Sequence, residues 1–451
     1  MSETGLFDGV LAAGPVAELV GDRAWVQAML DFEGALARAC AEAGVIPERA
    51  AEAIERCCRA EEFDIGALGA DAVGIGNPAG PLVRRLTARV DPEAAGYVHV
   101  GATSQDVIDT AAMLVTGRAL AALRVDLQDC AALLARLAEE HAGTVMPGRS
   151  LLQQAPPVTF GLTAAGWLGG LAAALDGIDR LRAQRLAVQF GGAVGTLASL
   201  RGNGIQVLGS LARILDLAEP VLPWHTERSR IAETAGVLGQ ACGAVAKIAR
   251  DITLLAQTEL AEVSEQGPPG SGGSSTMPHK RNPVAAVLAA AAAAQAPGLV
   301  ATLLGAAAHE HQRAAGSWHA EWRPLTELLR STGSAVHWLR ISLERLEVRP
   351  HRMRGNLDLT GGQLLAEHVA IELMAASHGE IGRQEASDRV AACCGRAEST
   401  AGGLADALAA DPVIGEFLSR DRIAAHLAPA TYLGSAEAFI DRALTHWQPR
   451  S

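Results

Sequence analysis

The feature that most constrains this chain is a stripe of residues, Met113, Thr116, Leu120, Leu123, Leu127, Cys130, Leu134 and Leu137, spaced by alternating threes and fours. That spacing keeps one face of an α-helix almost wholly apolar over about seven turns, whereas a strand would need a period of two. A second stripe, Leu238, Ala241, Val245, Ile248, Ile252 and Leu255, repeats the pattern. A long helix with one apolar stripe must bury it against other helices. Further helical stretches are expected near 158–188, 284–308 and 322–346, and five long helices in one region predict a bundle.

Composition narrows the choice. Hydrophobic residues make up 49% of the 451 positions but aromatics only 4%, so the core has to be built from Ala, Leu and Val at close backbone approach. A chain this long exceeds what one core holds. Alternating strand patterns are scarce, and no glycine motif follows a convincing strand, which argues against a nucleotide-binding sheet. The expected fold is all-α: an N-terminal helical domain over 1–110, a central long-helix bundle over 111–350 and a C-terminal helical domain over 351–451. Apolar seams on more than one face predict a homo-oligomer, the alternative being a monomer whose terminal parts cover those faces.

Asp and Glu (50) outnumber Lys and Arg (38), for a formal net charge of −12, which repels nucleic acid. An anionic substrate must therefore meet positive charge supplied locally by a few side chains and helix N-termini. Met1–Gly14 carries Glu3 and Asp8 and has no basic region ahead of an apolar core, so a cytoplasmic location is expected. The seven cysteines (40, 57, 58, 130, 242, 393, 394) show no CxxC and no Cys/His metal spacing, as buried or idle thiols would. His309 and His311 flank Glu310, but residues two apart on a helix do not share a face, so no metal site is expected there. The stretch 284–308 is long and apolar, yet mostly alanine and broken by Gln295, Pro297 and Gly298; it reads as a buried, tightly packed helix, not a membrane span.

The chemistry concentrates in Gly270-Ser-Gly-Gly-Ser-Ser-Thr-Met-Pro-His-Lys-Arg-Asn-Pro283. Its glycines suit a loop that opens and closes. Asn282 can cap a helix whose first position is Pro283, aiming free N–H groups at whatever the loop covers, with Lys280 and Arg281 adding charge. Taken on its residues alone, the segment also fits a flexible linker before a capped helix. Gly273, Ser274, Ser275, Met277, Pro278, Lys280, Asn282 and Pro283, however, match the signature Gly-Ser-Ser-x-Met-Pro-x-Lys-x-Asn-Pro, and on these residues the chain resembles the fumarase/aspartase superfamily.

Two further segments carry the resemblance. In His99-Val-Gly-Ala-Thr-Ser-Gln-Asp106 it implies that Thr103 and Ser104 bind substrate carboxylate oxygens and that His99 contacts substrate; Ser104 or Asp106 could equally cap the following helix. In Gly148-Arg-Ser-Leu-Leu-Gln-Gln-Ala155, Arg149 and Gln153 match the lyase pattern Gly-Arg-Thr-His-x-Gln-x-Ala as substrate-binding residues. The histidine that serves lyases as general acid is Leu151 here, and the glutamate that partners it is Val287. A poor leaving group needs an acid, whereas a departing carboxylate is already a weak base. Such a scaffold suits an intramolecular carboxylate that opens or closes a lactone, and the chain resembles the 3-carboxy-cis,cis-muconate cycloisomerases of protocatechuate degradation. Phe190-Gly-Gly, Pro223-Trp-His-Thr-Glu-Arg228 and Glu310-His-Gln-Arg313 extend that likeness, and Glu321-Trp322 departs from the phosphate-binding Glu-Arg of adenylosuccinate lyases.

The resemblance implies Ser274 as the proton-exchanging group, Lys280 and Asn282 as stabilisers of the carbanion, Ser275 and Arg313 as substrate ligands, no cofactor, a small polycarboxylate substrate and a homotetramer with sites shared between chains. Arg313, Arg228 and Arg230 each remain open as carboxylate ligands or as solvent-facing or ion-paired groups. The rival activity is a lyase of the same fold expelling another good leaving group, such as nitrite, from a substituted succinate. A non-catalytic protein of this fold is the other rival, and it predicts erosion of the loop, whereas Ser274, Lys280 and Asn282 are present.

Overall fold

The computed structural model describes residues 5–268, 272–273, 276–277, 279–397, 400 and 402–447. It is all-α apart from two small antiparallel pairs. The principal elements in chain order are α1 (Asp22–Glu42), α2 (Ser104–Glu140), the hairpin of β1 (Val145–Ser150) and β2 (Gln153–Thr159), α3 (Phe160–Gln184), α4 (Gly204–Leu215) and α5 (Ser229–Leu255). Then follow β3 (Val263–Glu265), α6 (Val284–Ala293), α7 (Ala296–Gly305), α8 (Ser317–Glu344), β4 (Leu346–Val348), α9 (Pro350–Leu357), α10 (Ala366–Ala376), α11 (Arg383–Ala397) and α12 (Arg420–His426). Shorter helices join them.

The two stripes lie where their periodicity puts them. All eight stripe residues of α2 and all six of α5 are buried. At 37 residues α2 is about 55 Å long, given a rise of about 1.5 Å per residue. The helix expected near 322–346 begins earlier, at Ser317, and passes through Pro324. A proline usually marks a first turn, so the sequence pattern placed the start too late.

The stretch 284–308 departs from its expectation. It forms two helices, α6 and α7, separated at 294–295, with Pro297 in the first turn of α7. Nor is it fully buried: Ala285, Ala286, Ala289, Ala292, Ala293, Ala296 and Leu303 are inside, while Val287 and Leu304 are about half exposed. A run of alanines has no polar face to announce which side meets solvent. By length and composition α3 and the α6–α7 stretch could each cross a membrane; α3 buries Trp167, Leu168, Leu171, Leu175 and Ile178 within the protein.

Contacts group the chain into two discontinuous units. The first comprises Met1–Gln128, Ala173–Ala246 and Leu288–Arg340; in it α1 packs on the helix Glu48–Arg56 and on α4. The second comprises Asp129–Ala172, Lys247–Val287 and Ile341–Ser451. There the β1–β2 hairpin packs on α9, and Val369, Leu373, Val390, Cys393, Leu404, Leu408, Ile414 and Ile423 share a core. None of the seven cysteines is joined in a disulfide. Burial pushes the Cys40 thiol up to about 12, with Glu33 adding to it, and the Cys242 thiol up to about 11, so both act as packing groups rather than nucleophiles.

Leu127 is fully buried in the α2 seam, whereas Val125 on the same helix is 55% exposed. Leu127→Ala is therefore expected to lower unfolding stability by about 2–5 kcal/mol, and Val125→Ala by less than about 0.5 kcal/mol. Equal urea midpoints for the two variants would show that this face is not a packed seam.

Candidate active site

The residues that open α2 are held by one carboxylate. Asp106, wholly buried, accepts the backbone N–H of Thr103 at 3.0 Å, closing the helix N-terminus as the third residue of a capping box does. It also accepts from Gln189 Nε2 (3.1 Å), Gly191 N (3.1 Å), Gly192 N (2.9 Å) and His225 Nε2 (2.8 Å). Five donors replace the water that a buried charge gives up. Gly192 sits at φ +66, and a Cβ there would lie 2.9 Å from the Gly101 carbonyl oxygen, so only glycine brings this loop close enough to donate.

One turn further along α2, Asp109 accepts both terminal nitrogens of Arg228 (2.8 and 3.1 Å), Trp318 Nε1 (2.9 Å) and Gln105 Nε2 (3.0 Å). Arg228 also donates to Glu321 through Nε (3.0 Å) and Nη2, and His309 Nε2 lies 3.1 Å from Glu321 Oε1. The question left open for Arg228 is thereby answered: it is a buried, ion-paired group tying α2 to α8. Arg230 donates to the Arg185 carbonyl (2.7 Å).

On this base stand four of the residues expected to meet substrate. Arg313 donates through Nε to Gln105 Oε1 (2.6 Å) and through Nη1 to Thr103 Oγ1 (3.0 Å), so Thr103 and Arg313 adjoin at the mouth of α2, with Ser104 half-buried beside them. Burial pulls the Arg313 pKa down, while Asp106 and Asp109 oppose that pull. His99, at φ +64, sets its Nδ1 2.7 Å from Oε1 of the buried Glu33. Burial pushes the imidazole down, but the charge and hydrogen bond of Glu33, helped by Asp106, outweigh it and hold the pKa above the ordinary histidine value. His99 and Arg313 are thus two basic groups in a protein of net negative charge.

In the second unit, Arg149 is bidentate to the buried Glu262 (2.9 and 2.6 Å), which also accepts Asn356 Nδ2 (2.8 Å). Its guanidinium thus clamps the hairpin to the segment before β3. Gly148 permits the bulge beside it, since a Cβ there would meet the Pro156 carbonyl oxygen at 2.5 Å. Gln153 is exposed at the start of β2, opposite Ser150. Between them Leu151 and Leu152 form a two-residue turn at φ +53 and +66. Such a turn ordinarily takes Asn-Gly, and left-handed backbone costs an ordinary residue roughly 1–2 kcal/mol. Leu151 is nevertheless 94% exposed, an apolar side chain held out in a strained turn, as happens where function fixes the backbone.

The signature loop is described in part; Ser274 and Ser275 lie outside the described residues. Gly273 bridges to Arg281, Asn282 N donates to the Gly272 carbonyl (2.9 Å), and Lys280 is exposed. The helix that follows begins at Val284, and its N-terminus is not open. Glu265 accepts from the N–H groups of Ala285 (3.0 Å) and Ala286 (2.8 Å), and from Ser342 Oγ (2.5 Å). This corrects the expectation that those N–H groups await a substrate carboxylate: a carboxylate of the chain itself already satisfies them.

Sequence reasoning missed Glu33, Asp109, Glu262 and Glu265 and gave Asp106 only a capping role. Their partners lie up to 209 positions away, beyond any local pattern. An acidic residue inside an otherwise apolar helix stripe was the available signal, as at Glu33 in α1.

The chain is similar to known proteins over most of its length. A family model described as "Lyase" matches residues 11–298, and one described as "Adenylosuccinate lyase C-terminus" matches 362–443. The 3-carboxy-cis,cis-muconate cycloisomerase of Pseudomonas aeruginosa is 47% identical over 442 residues, covering 97% of this chain and 95% of its own. A nitrosuccinate lyase of Streptomyces davaonensis is 43% identical, over 98% of this chain and 94% of its own. The crystal structure of the 3-carboxy-cis,cis-muconate lactonizing enzyme from Pseudomonas putida superposes with a TM-score of 0.91 at 42% identity, covering 98% of both chains. With a matching family model over most of its length and relatives above 40% identity over nearly all of it, the chain belongs to the fumarase/aspartase superfamily of lyases.

Proposed function

We propose that this protein is a cycloisomerase that converts 3-carboxy-cis,cis-muconate to 4-carboxymuconolactone, an intramolecular lyase acting in aromatic degradation. The observation that carries the reading is Leu151, displayed on a strained turn at the position where lyases of the superfamily keep their general acid. Val287 stands where the partner of that acid would be. In the ring-closing direction a substrate carboxylate oxygen bonds to the conjugated double bond, the electron pair moves onto the neighbouring carboxylate, and Ser274 donates the proton to carbon. In reverse Ser274 removes that proton and the carboxylate departs without protonation. Ring closure leaves a serine alkoxide that recovers a proton from solvent, so the substrate trianion takes up one proton in becoming the lactone dianion, and ring opening returns it.

Lys280 and Asn282 stabilise the extra charge as it builds, without help from the α6 N-terminus, which Glu265 occupies. His99, Arg313, Thr103 and Ser104 take the carboxylates that do not react, with Arg149, Gln153 and Ser275 as further ligands. The second reading, elimination of nitrite, is favoured by one specific observation, the 43% identity to nitrosuccinate lyase, and it shares the freedom from an acid. Domains at 1–110, 111–350 and 351–451 remain our division by sequence order. A cytoplasmic site of action fits seven cysteines with no disulfide among them.

A spectrophotometric assay separates the readings. The purified protein is expected to bleach the conjugated diene of 3-carboxymuconate and to leave nitrosuccinate unchanged, and Ser274→Ala to lose at least about 100-fold in kcat. Preferred turnover of nitrosuccinate would replace the first reading with the second, and near-normal kcat in the variant would remove the serine from the mechanism.

His99 supplies a pH signature. Because Glu33 raises its pKa, the cationic imidazole, and the stability of its pair with Glu33, are fully present below about 6.5. Both fade as the pH climbs through the raised value. KM for the anionic substrate is expected to rise over that window with kcat little changed, and in Glu33→Gln the rise should begin at lower pH. Superimposable KM profiles for the two proteins would show that His99 does not hold the substrate.

We also propose a homotetramer, on the support of the exposed Leu151, Leu152, Val287 and Leu304, whose apolar surface favours burial against other copies. Light scattering is expected to give four times the 46.7 kDa chain mass; a monomer at micromolar concentration would overturn it.

A further inference from the structure

Outside the candidate active site, in the second unit, two imidazoles and a carboxylate converge. His368 and Glu372 lie four residues apart on α10, hence on one face, and His426 ends α12. Nε2 of His368 is 3.8 Å from Glu372 Oε1, and Nε2 of His426 is 3.5 Å from Glu372 Oε2. Ligand atoms of the three residues all lie within 4.8 Å of one another. These separations are long for hydrogen bonds. A tetrahedral zinc with bonds of about 2.0–2.2 Å holds its ligand atoms roughly 3.3–3.6 Å apart, which the cluster reaches by side-chain shifts of well under an ångström to about an ångström.

The surroundings prepare the ligands. His368 Nδ1 is 2.9 Å from the His426 carbonyl oxygen, so the ring donates there and turns the lone pair of Nε2 toward Glu372, the arrangement that orients metal-bound histidines. His368 is 6% exposed and stacks on Tyr432 at 4.5 Å and 18°, and the Tyr432 hydroxyl is 3.1 Å from Glu367 Oε2. Glu372 is 29% exposed in its side chain, leaving room for water as a fourth ligand.

We propose that His368, Glu372 and His426 bind one zinc ion per chain, as a structural clasp between α10 and the end of α12 that is separate from catalysis. The sequence hides the site, because its third ligand follows the second by more than fifty positions.

The test uses the full-length protein, stripped with EDTA and titrated with zinc sulfate against a chromogenic chelator. One zinc per chain is expected with Kd at or below about 1 µM, a Tm that rises with free zinc, and X-ray absorption showing nitrogen and oxygen neighbours without sulfur. Glu372→Gln, a conservative change at a partly exposed position, should weaken binding about 100-fold while keeping the metal-free Tm. His426→Ala should do the same. Binding weaker than about 100 µM, sulfur in the coordination shell, or unchanged affinity in both variants would overturn the site.

Discussion

The buried carboxylate of Asp106 is the interaction from which the candidate site is built. It is a full charge without solvent, tolerable only because five donors from three separate stretches of chain converge on it. Those donors cannot be moved without exposing the charge to an apolar interior, so the mouth of α2, the 189–192 loop and the segment at His225 are locked in register. Asp109 repeats the device one turn along, with Arg228, Trp318 and Gln105. Breaking either set by removing one partner strands an unpaired charge, which costs far more than the pair contributes when intact.

This foundation explains how a chain with net charge −12 recognises a polyanion. Asp106 and Asp109 are held by local donors, yet they oppose the downward pull of burial on the Arg313 pKa, and Glu33 with Asp106 raises that of His99. In a scaffold whose overall field repels an anion, recognition then falls to locally placed groups instead of bulk attraction.

Much of the architecture was legible because helical seams are periodic and local. Met113 to Leu137 and Leu238 to Leu255 needed only the spacing of threes and fours to be placed inside. The glycine-rich signature and the residues at 99–106 were legible as contiguous motifs. What was hidden is non-local. Glu265 closing the N-terminus of α6 joins positions twenty apart, and Glu262 capturing Arg149 joins positions 113 apart. The break between α6 and α7 was visible as Gln295, Pro297 and Gly298, but alanine periodicity gave no hint of which side stays exposed. The contact units are discontinuous in sequence, so dividing the chain in order from end to end could not anticipate them.

The Leu151-Leu152 turn joins physics to chemistry. Two branched apolar side chains at positive φ cost backbone energy and gain nothing from burial in the single chain. A hairpin selected for stability alone would carry Asn-Gly there. By the motif match, this turn stands where lyases of the superfamily carry their general-acid histidine. On the cycloisomerase reading, a departing carboxylate is already a weak base and needs no donor at that position, so an apolar residue can stand there.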